Sequence, residues 1–342
     1  MRHIDPATIH HSESHRYLLS CVAPRPIAFA GTVDSDGRPN LAPFSFFNAF
    51  GANPPVVAFS PAFRGTDGSP KHTLLNVLAT GEFTISVVSY SMVEQISLAS
   101  CDFPEGVDEF VKAGFTKLES HKIKPFGVAE SPMVMECKLL HHIPVGGGPG
   151  SANILIGEVV MFHLQESIFD GQYPSADRLD LVARMGGPLY CRASGPAVFT
   201  LAKPTHTGIG FDALPNHLLE STILTGNDLA KLAGVQQLPD VAAAQAFIAT
   251  ELANLPASLP DNLATELRVG TPNRAFQAFL AGRIGRDQWG ESDTATLHHI
   301  IQQFLRKNDV ANAWNCAIAQ ELLRHPEHHL AAIEQRDQQP NQ

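Results

Sequence analysis

The stretch from residue 24 to residue 76 constrains this chain more than any other. Pro24-Arg25-Pro26-Ile27 leads through an apolar, β-prone run to Val33, and Asp34-Ser35-Asp36-Gly37 supplies turn chemistry suited to a hairpin. A second strand carries Leu41-Ala42-Pro43-Phe44-Ser45-Phe46-Phe47-Asn48, Pro55 to Ser60 reads as a third, and Lys71-His72-Thr73 opens a short helix ended by Gly81. Prolines such as Pro24 and Pro26 sit at strand starts or sheet edges. This order brings backbone amides, small hydroxyls and one lysine close together, as an anionic ligand requires.

Further short strands follow. Glu82 to Val88 alternates as a strand, Met92 to Leu98 reads as a helix, and two long strands, Met133 to Ile143 and Ile154 to Leu164, flank the flexible Gly146-Gly147-Gly148-Pro149-Gly150 loop. Arg184-Met185-Gly186-Gly187-Pro188-Leu189-Tyr190 and the apolar Val198 to Leu201 close this half. Many short strands with turn signals between them favour a barrel over a doubly wound sheet.

After about Pro204 the pattern changes to helical periodicity. Asp240, Thr271-Pro272, Ser292 and Asp309 are placed to start helices, and the last two of these carry Leu297, Ile300, Ile301, Phe304, Leu305 and then Trp314, Ile318, Leu322, Leu323 at helical spacing. The expected organisation is α+β overall: a barrel over residues 1–204, an all-α domain over 205–335, and a disordered polar tail over 336–342. A length of 342 residues allows two cores.

The balance of 24 Lys and Arg against 34 Asp and Glu, a net charge of -10, excludes a general nucleic-acid or anionic-membrane binder, so an anion site must be local. Five scattered cysteines without a Cys-x-x-Cys pair specify neither a disulfide framework nor a thiolate metal site, and a reducing cytoplasm is the simplest home. No run of about 18 apolar residues is present to span a bilayer, and no secretory signal opens the chain.

Taken one at a time, the residues of the central stretch have ordinary readings. Lys71 reads as a solvated lysine, Thr73 as a helix cap, Arg25 as a solvent-facing residue on a rigid edge, and Phe44, Phe46, Phe47 and Phe50 as core or interface. Ser45 and Asn48, small polar groups among aromatics, invite a hydrogen-bonded ligand.

Taken in order, the motifs resemble the flavin reductase-like FMN-binding family, the flavoredoxin-type split barrels, over about residues 10 to 200. Pro24-Arg25-Pro26-Ile27, Asp36-Gly37, Asn40 to Phe47, Pro54-Pro55, Lys71-His72-Thr73-Leu74-Leu75-Asn76, Thr80-Gly81-Glu82-Phe83, Ile156-Gly157-Glu158-Val159 and Arg184 to Tyr190 carry the resemblance, with His72 standing where the family usually has an acidic residue. The resemblance implies an N-terminal FMN-binding split barrel. Its FMN phosphate would meet Lys71, Thr73 and amides near Ser45 and Ser60, and its ring would lie near Arg25, Pro26, Phe46, Phe47 and Asn48. It also implies a homodimer with the flavin at or near the interface, and hydride transfer from NADH or NADPH to the flavin N5. No catalytic acid or base is then required of the protein. The alternative is a non-enzymatic FMN-binding electron-transfer protein that docks a partner through the helical extension.

Other motifs carry less. Asp228 to Val235 looks like the first helix of a helix-turn-helix, but Pro239 stands where a recognition helix should follow. His11 with His15, or His325 with His329, have the four-residue spacing of metal ligands without a completing carboxylate. Cys101 and Cys191 read as packing thiols.

Overall fold

The structure, a computed structural model, describes residues 1–255, 263–283, 286 and 288–324. The chain divides into two compact units, Met1–Thr200 and Leu201–Gln342.

The first unit opens with helix α1 (His11–Cys21), none of whose residues is buried. A seven-stranded antiparallel sheet follows. Its early strands are β1 (Ala28–Val33), β2 (Pro39–Phe44), β3 (Phe47–Ala52), β4 (Pro55–Phe59) and, after helix α2 (His72–Thr80), β5 (Glu82–Ser86). Helices α3 (Val93–Ala99) and α4 (Glu109–Ala113) and the short ladder of β6 (Lys117–Leu118) with β7 (Gly127–Val128) come next. The long hairpin β8 (Met133–Val145) and β9 (Ala152–Leu164) completes the sheet. A small hairpin of β10 (Phe169–Asp170) and β11 (Tyr173–Pro174), helix α5 (Ala176–Leu179), and a second hairpin of β12 (Leu181–Arg184) and β13 (Tyr190–Ala193) end the unit.

The strand order β2-β1-β5-β8-β9-β4-β3 places at opposite edges two strands joined only by Ser45 and Phe46. No ladder pairs β2 with β3, so the sheet curls into a barrel that is split at this junction. The sequence reading ran Leu41 to Asn48 as a single strand. It is two, because at Ser45 the chain leaves its β1 ladder and at Phe47 enters a new one opposite Phe59.

Local chemistry explains the turns. The Asp34 carboxylate accepts from the amides of Asp36 and Arg38, both at 2.9 Å, and Gly37 takes φ +83°, closing the β1–β2 hairpin. Gly81 ends α2 in the left-handed region at φ 71°. The barrel core holds Phe59, Phe83, Ile85 and Leu155, each at most 1% exposed, and a second cluster around Phe29, Leu41 and Phe110 fills the space between sheet and helices. Deeper in the sheet, Glu136 is fully buried, and it accepts from the amides of His121 and Lys122 at 2.7 Å and from His163 Nε2 at 2.6 Å.

The second unit is helical: α6 (Asn216–Leu219), α7 (Gly226–Ala233), α8 (Val241–Ala253), α9 (Leu263–Val269), α10 (Pro272–Arg283), α11 (Glu291–Arg306) and α12 (Val310–Arg324). Phe276, Ile300, Phe304, Trp314 and Leu232 anchor one core. Asp240 caps α8 through the Ala242 amide and Asp309 bonds the Asn312 amide at the start of α12. Ser292 lies inside α11, whose cap is Gly290, with Asp293 reaching back to the Gly290 amide at 2.9 Å. On α8, Ala244 and Ile248 are buried and Phe247 packs against the same core, while Leu252 is 38% exposed. Val198 to Leu201 forms no strand, and Phe199 and Leu201 are 80% and 81% exposed. The 336–342 tail lies outside the described residues. Among those described, no helix is long and apolar enough to cross a membrane.

Candidate functional site

The site begins at the N-terminus of α2. Lys71 occupies the cap position and has no side chain able to accept, so no side-chain cap forms, and the first intrahelical bonds are those of Leu74 and Leu75 to the Lys71 carbonyl. The amides of His72 and Thr73 are left for a ligand. Lys71 and Arg64 stand beside them. Arg64 is pinned by the Pro70 carbonyl at 2.6 Å and Ser69 Oγ at 3.3 Å, and both cations lean on Asp102, Arg64 Nε at 3.5 Å and Lys71 Nζ at 3.9 Å.

Thr73 is 1% exposed and belongs to a buried polar net. Its Oγ1 accepts from Asn40 Nδ2 at 3.0 Å, and Asn76 Nδ2 donates to Thr32 Oγ1 at 3.1 Å. A hydroxyl that accepts in this way keeps its own proton to donate. Glu109, 6% exposed, accepts from the Leu41 amide at 3.0 Å and so covers the open edge of β2. Burial pushes its carboxyl upward from the usual range, against the opposing pull of the Leu41 N–H.

Three adjoining cavities run from this point along α3. The first, about 180 Å³, is lined by Arg64, Lys71, Thr73, Asp102 and Glu109. The second, about 220 Å³, shares Pro43, Phe44 and Ser100 with it and adds Ser45, Arg184 and Tyr190. The third, about 360 Å³, shares Ser97 and Tyr190 with the second and reaches Tyr90 and Arg192. Cations therefore recur along the groove, Arg64 and Lys71 at one end, Arg184 in the middle and Arg192 at the other, with Phe44, Tyr190 and Tyr90 beside them.

The residues expected at the site separate into groups. Lys71, Thr73 and Ser45 line the groove. Arg25 does not face solvent: it is 6% exposed and donates to the carbonyls of Leu19 and Val22, both at 2.6 Å, to Met185 O at 3.1 Å and to Ser45 Oγ at 3.4 Å. Burial first, and the neighbouring Arg184 second, lower its pKa. Ser60 is 9% exposed, its amide donates to Phe46 O, and its hydroxyl accepts from the Asn153 amide. Pro26 and Asn48 are exposed, Phe47 is half-buried, and Phe46 is 37% exposed with its ring edge against His15.

Sequence reading gave no role to Arg64, Asp102, Glu109 or Tyr190. Arg64 had a usable signal, a cation in the polar loop that leads into α2 at His72. Glu109 had none, because its place follows from α4 folding back onto β2. Cys101, read as a packing thiol, is exposed and lines the first cavity. Among the described residues no group of three or more His, Cys, Asp or Glu could hold a metal ion. His325, His328 and His329 lie outside those residues.

The donor set fits a flavin nucleotide: cations and backbone amides around the first cavity suit a phosphate, and the adjoining cavity with Phe44, Ser45 and Tyr190 suits a ring. Fold and groove together define a flavin-nucleotide split barrel. The flavin reductase-like domain matches residues 19–178. An uncharacterized protein of Deinococcus radiodurans is 38% identical over 192 residues, covering 54% of this chain and 82% of its own length. Nitrilotriacetate monooxygenase component B from Bacillus cereus superposes with a TM-score of 0.55 at 32% identity, over 59% of this chain and 98% of that one. The 2-nitrobenzoate 2-nitroreductase of Pseudomonas fluorescens does so with a TM-score of 0.53 at 28% identity, over 60% and 97%. This chain belongs to the flavin reductase-like family, a family of flavoproteins. Its helical unit lies outside the family match.

Proposed function

We propose that this chain is an FMN-dependent oxidoreductase, an NAD(P)H-dependent flavin reductase whose FMN lies in the groove along α3. The observation that carries the reading is the uncapped start of α2 with Lys71 and Arg64 at one end of a groove whose middle holds Ser45 and Tyr190. In this reading the α2 amides, Lys71, Arg64 and Thr73 hold the phosphate, and Ser45 donates to the ring. Arg25 acts behind Ser45, and Glu109 holds β2 in place. Bound FMN supplies the hydride-accepting N5, and the protein binds, orients and shields it.

The similarity to a protein named as one component of a monooxygenase supports a reductase that passes its electrons to a separate partner. The homodimer belongs to the same reading: β3 lies at the sheet edge and exposes Phe50 by 71%. A cytoplasmic location fits the free cysteines. Titration of the purified chain with FMN, followed by stopped-flow mixing with NADH and with NADPH, tests the function. Saturable binding and rapid bleaching of the flavin by one nucleotide are expected. Absence of binding refutes the reading. Binding without bleaching by either nucleotide leaves the electron-carrier alternative, which the helical unit outside the family match favours as a docking domain.

A further inference from the structure

The middle of the groove is lined by one cation, Arg184, and a second, the buried Arg25, lies behind its Ser45, with no acid lining that cavity to balance them. Arg25 and Arg184 are locked together by reciprocal backbone bonds, Arg25 N to Arg184 O at 3.0 Å and Arg184 N to Arg25 O at 2.9 Å. The Arg184 guanidinium lies over the Tyr190 ring at 4.6 Å and donates to the Tyr190 hydroxyl at 2.7 Å and to Gly187 O at 2.9 Å. Among the described residues neither arginine forms an ion pair with a carboxylate. Of the residues lining the 220 Å³ cavity, Arg184 is the one that carries charge. The nearby acids are committed or displaced: Asp180 is held by Arg192 at 2.6 and 2.7 Å, and Glu94 lines the neighbouring cavity.

The carbonyls around Arg25 satisfy its donors but do not cancel its charge. A buried, unpaired charge is costly, and such an arrangement is a candidate for function rather than for stability. Two like charges side by side favour a ligand that brings a negative one. Ser45 connects them to the groove. It accepts from Arg25 Nε, which leaves its own proton to donate to whatever lies in the cavity.

We propose that Arg25 and Arg184 form an uncompensated cationic pair behind Ser45 that makes this part of the groove favour the reduced, negatively charged flavin ring over the neutral oxidised one. The inference rests on the flavin reading above. Uptake of a hydride, two electrons with one proton, leaves the ring with one negative charge and oxidises the reduced nicotinamide donor by two electrons. The pair interacts with that charge and with nothing comparable on the oxidised ring, so it acts as a difference in affinity between the two redox forms. Arg25 is a positioning residue in this scheme, and Arg184 faces the cavity.

The test uses the full chain and FMN as the probe. Dissociation constants are measured for oxidised FMN by fluorescence quenching and for FMN kept reduced by excess dithionite, and the midpoint potential of the bound flavin is read against a reference dye. The wild-type chain is expected to bind reduced FMN about tenfold more tightly, which for a two-electron couple places the midpoint about 30 mV above that of free FMN. Arg184→Met is expected to abolish this preference while keeping its melting temperature, and Arg184→Lys to restore part of it. A wild-type ratio near unity, an unchanged ratio in Arg184→Met, or equal loss of both redox forms overturns the proposal. No binding of FMN in either form overturns the flavin reading itself and this inference with it.

Discussion

Replacing Lys71 by Met tests whether the start of α2 is a phosphate site, and the structure sets the size of the effect. The Lys71 side chain is 36% exposed and its partner Asp102 is 70% exposed, with 3.9 Å between Nζ and Oδ1. A pair so open to water contributes about 0–1 kcal/mol, so Asp102 competes only weakly with an incoming phosphate. A charge-assisted bond from Lys71 to a phosphate oxygen contributes about 1.5–3 kcal/mol when well enclosed, and its exposure puts it at about 1.5 kcal/mol. Lys71→Met should therefore raise the dissociation constant for FMN about tenfold. Asp102→Asn, which removes the competing carboxylate, should lower it by up to about fivefold. Lumiflavin, which has the ring without the ribityl phosphate, should bind both variants as it binds the parent chain. Flavin fluorescence quenching at two salt concentrations measures all three, and the Lys71 effect should shrink at higher salt. An unchanged FMN affinity in Lys71→Met, or an equal loss of lumiflavin, would refute a phosphate at this helix start.

The Glu136 carboxyl gives a stability test: burial alone pushes its pKa up, but the His121 amide, His163 and the Lys122 amide together hold it below the usual range. A depressed folded pKa contributes stability that is complete above the unfolded value of about 4.3 and is lost as pH falls through the folded one, so Glu136→Gln should cost about 2–3 kcal/mol at pH 7 and progressively less below pH 4 in thermal melts. In the helical unit, burial first and His217 second lower the His298 pKa to about 4. The unfolded chain then takes up a proton below about 6.5 that the folded unit refuses, so stability falls between pH 6.5 and 4. Both tryptophans, Trp289 and Trp314, lie in this unit and report on it by fluorescence, and His298→Gln should flatten the acid limb. Phe50→Lys should shift sedimentation from dimer to monomer; a parent chain that is itself monomeric sinks the β3 interface.

The sequence by itself determined the elements that depend on neighbours along the chain. The Asp34–Gly37 turn, the α2 stop at Gly81 and the caps at Asp240 and Asp309 were legible because each is a local bargain between a side chain and backbone a few residues away. The order of motifs from Pro24 to Tyr190 likewise placed the barrel. Only tertiary structure decided which side chains remained free to meet a ligand. Arg25 looked like a solvent-facing residue on an edge, yet the fold wraps α1 and Met185 around it and leaves its charge behind Ser45. Ser60 carries a hydroxyl whose partner is equally remote, since it accepts from the amide of Asn153 on β9, 93 residues later. Glu109 and Arg184 reach the groove through contacts between residues far apart in the sequence, whose partners no local pattern names. The break at Ser45–Phe46 is of the same kind, since a strand ends there because its ladder partner changes from β1 to β4, and that exchange exists only once the sheet has curled into a barrel.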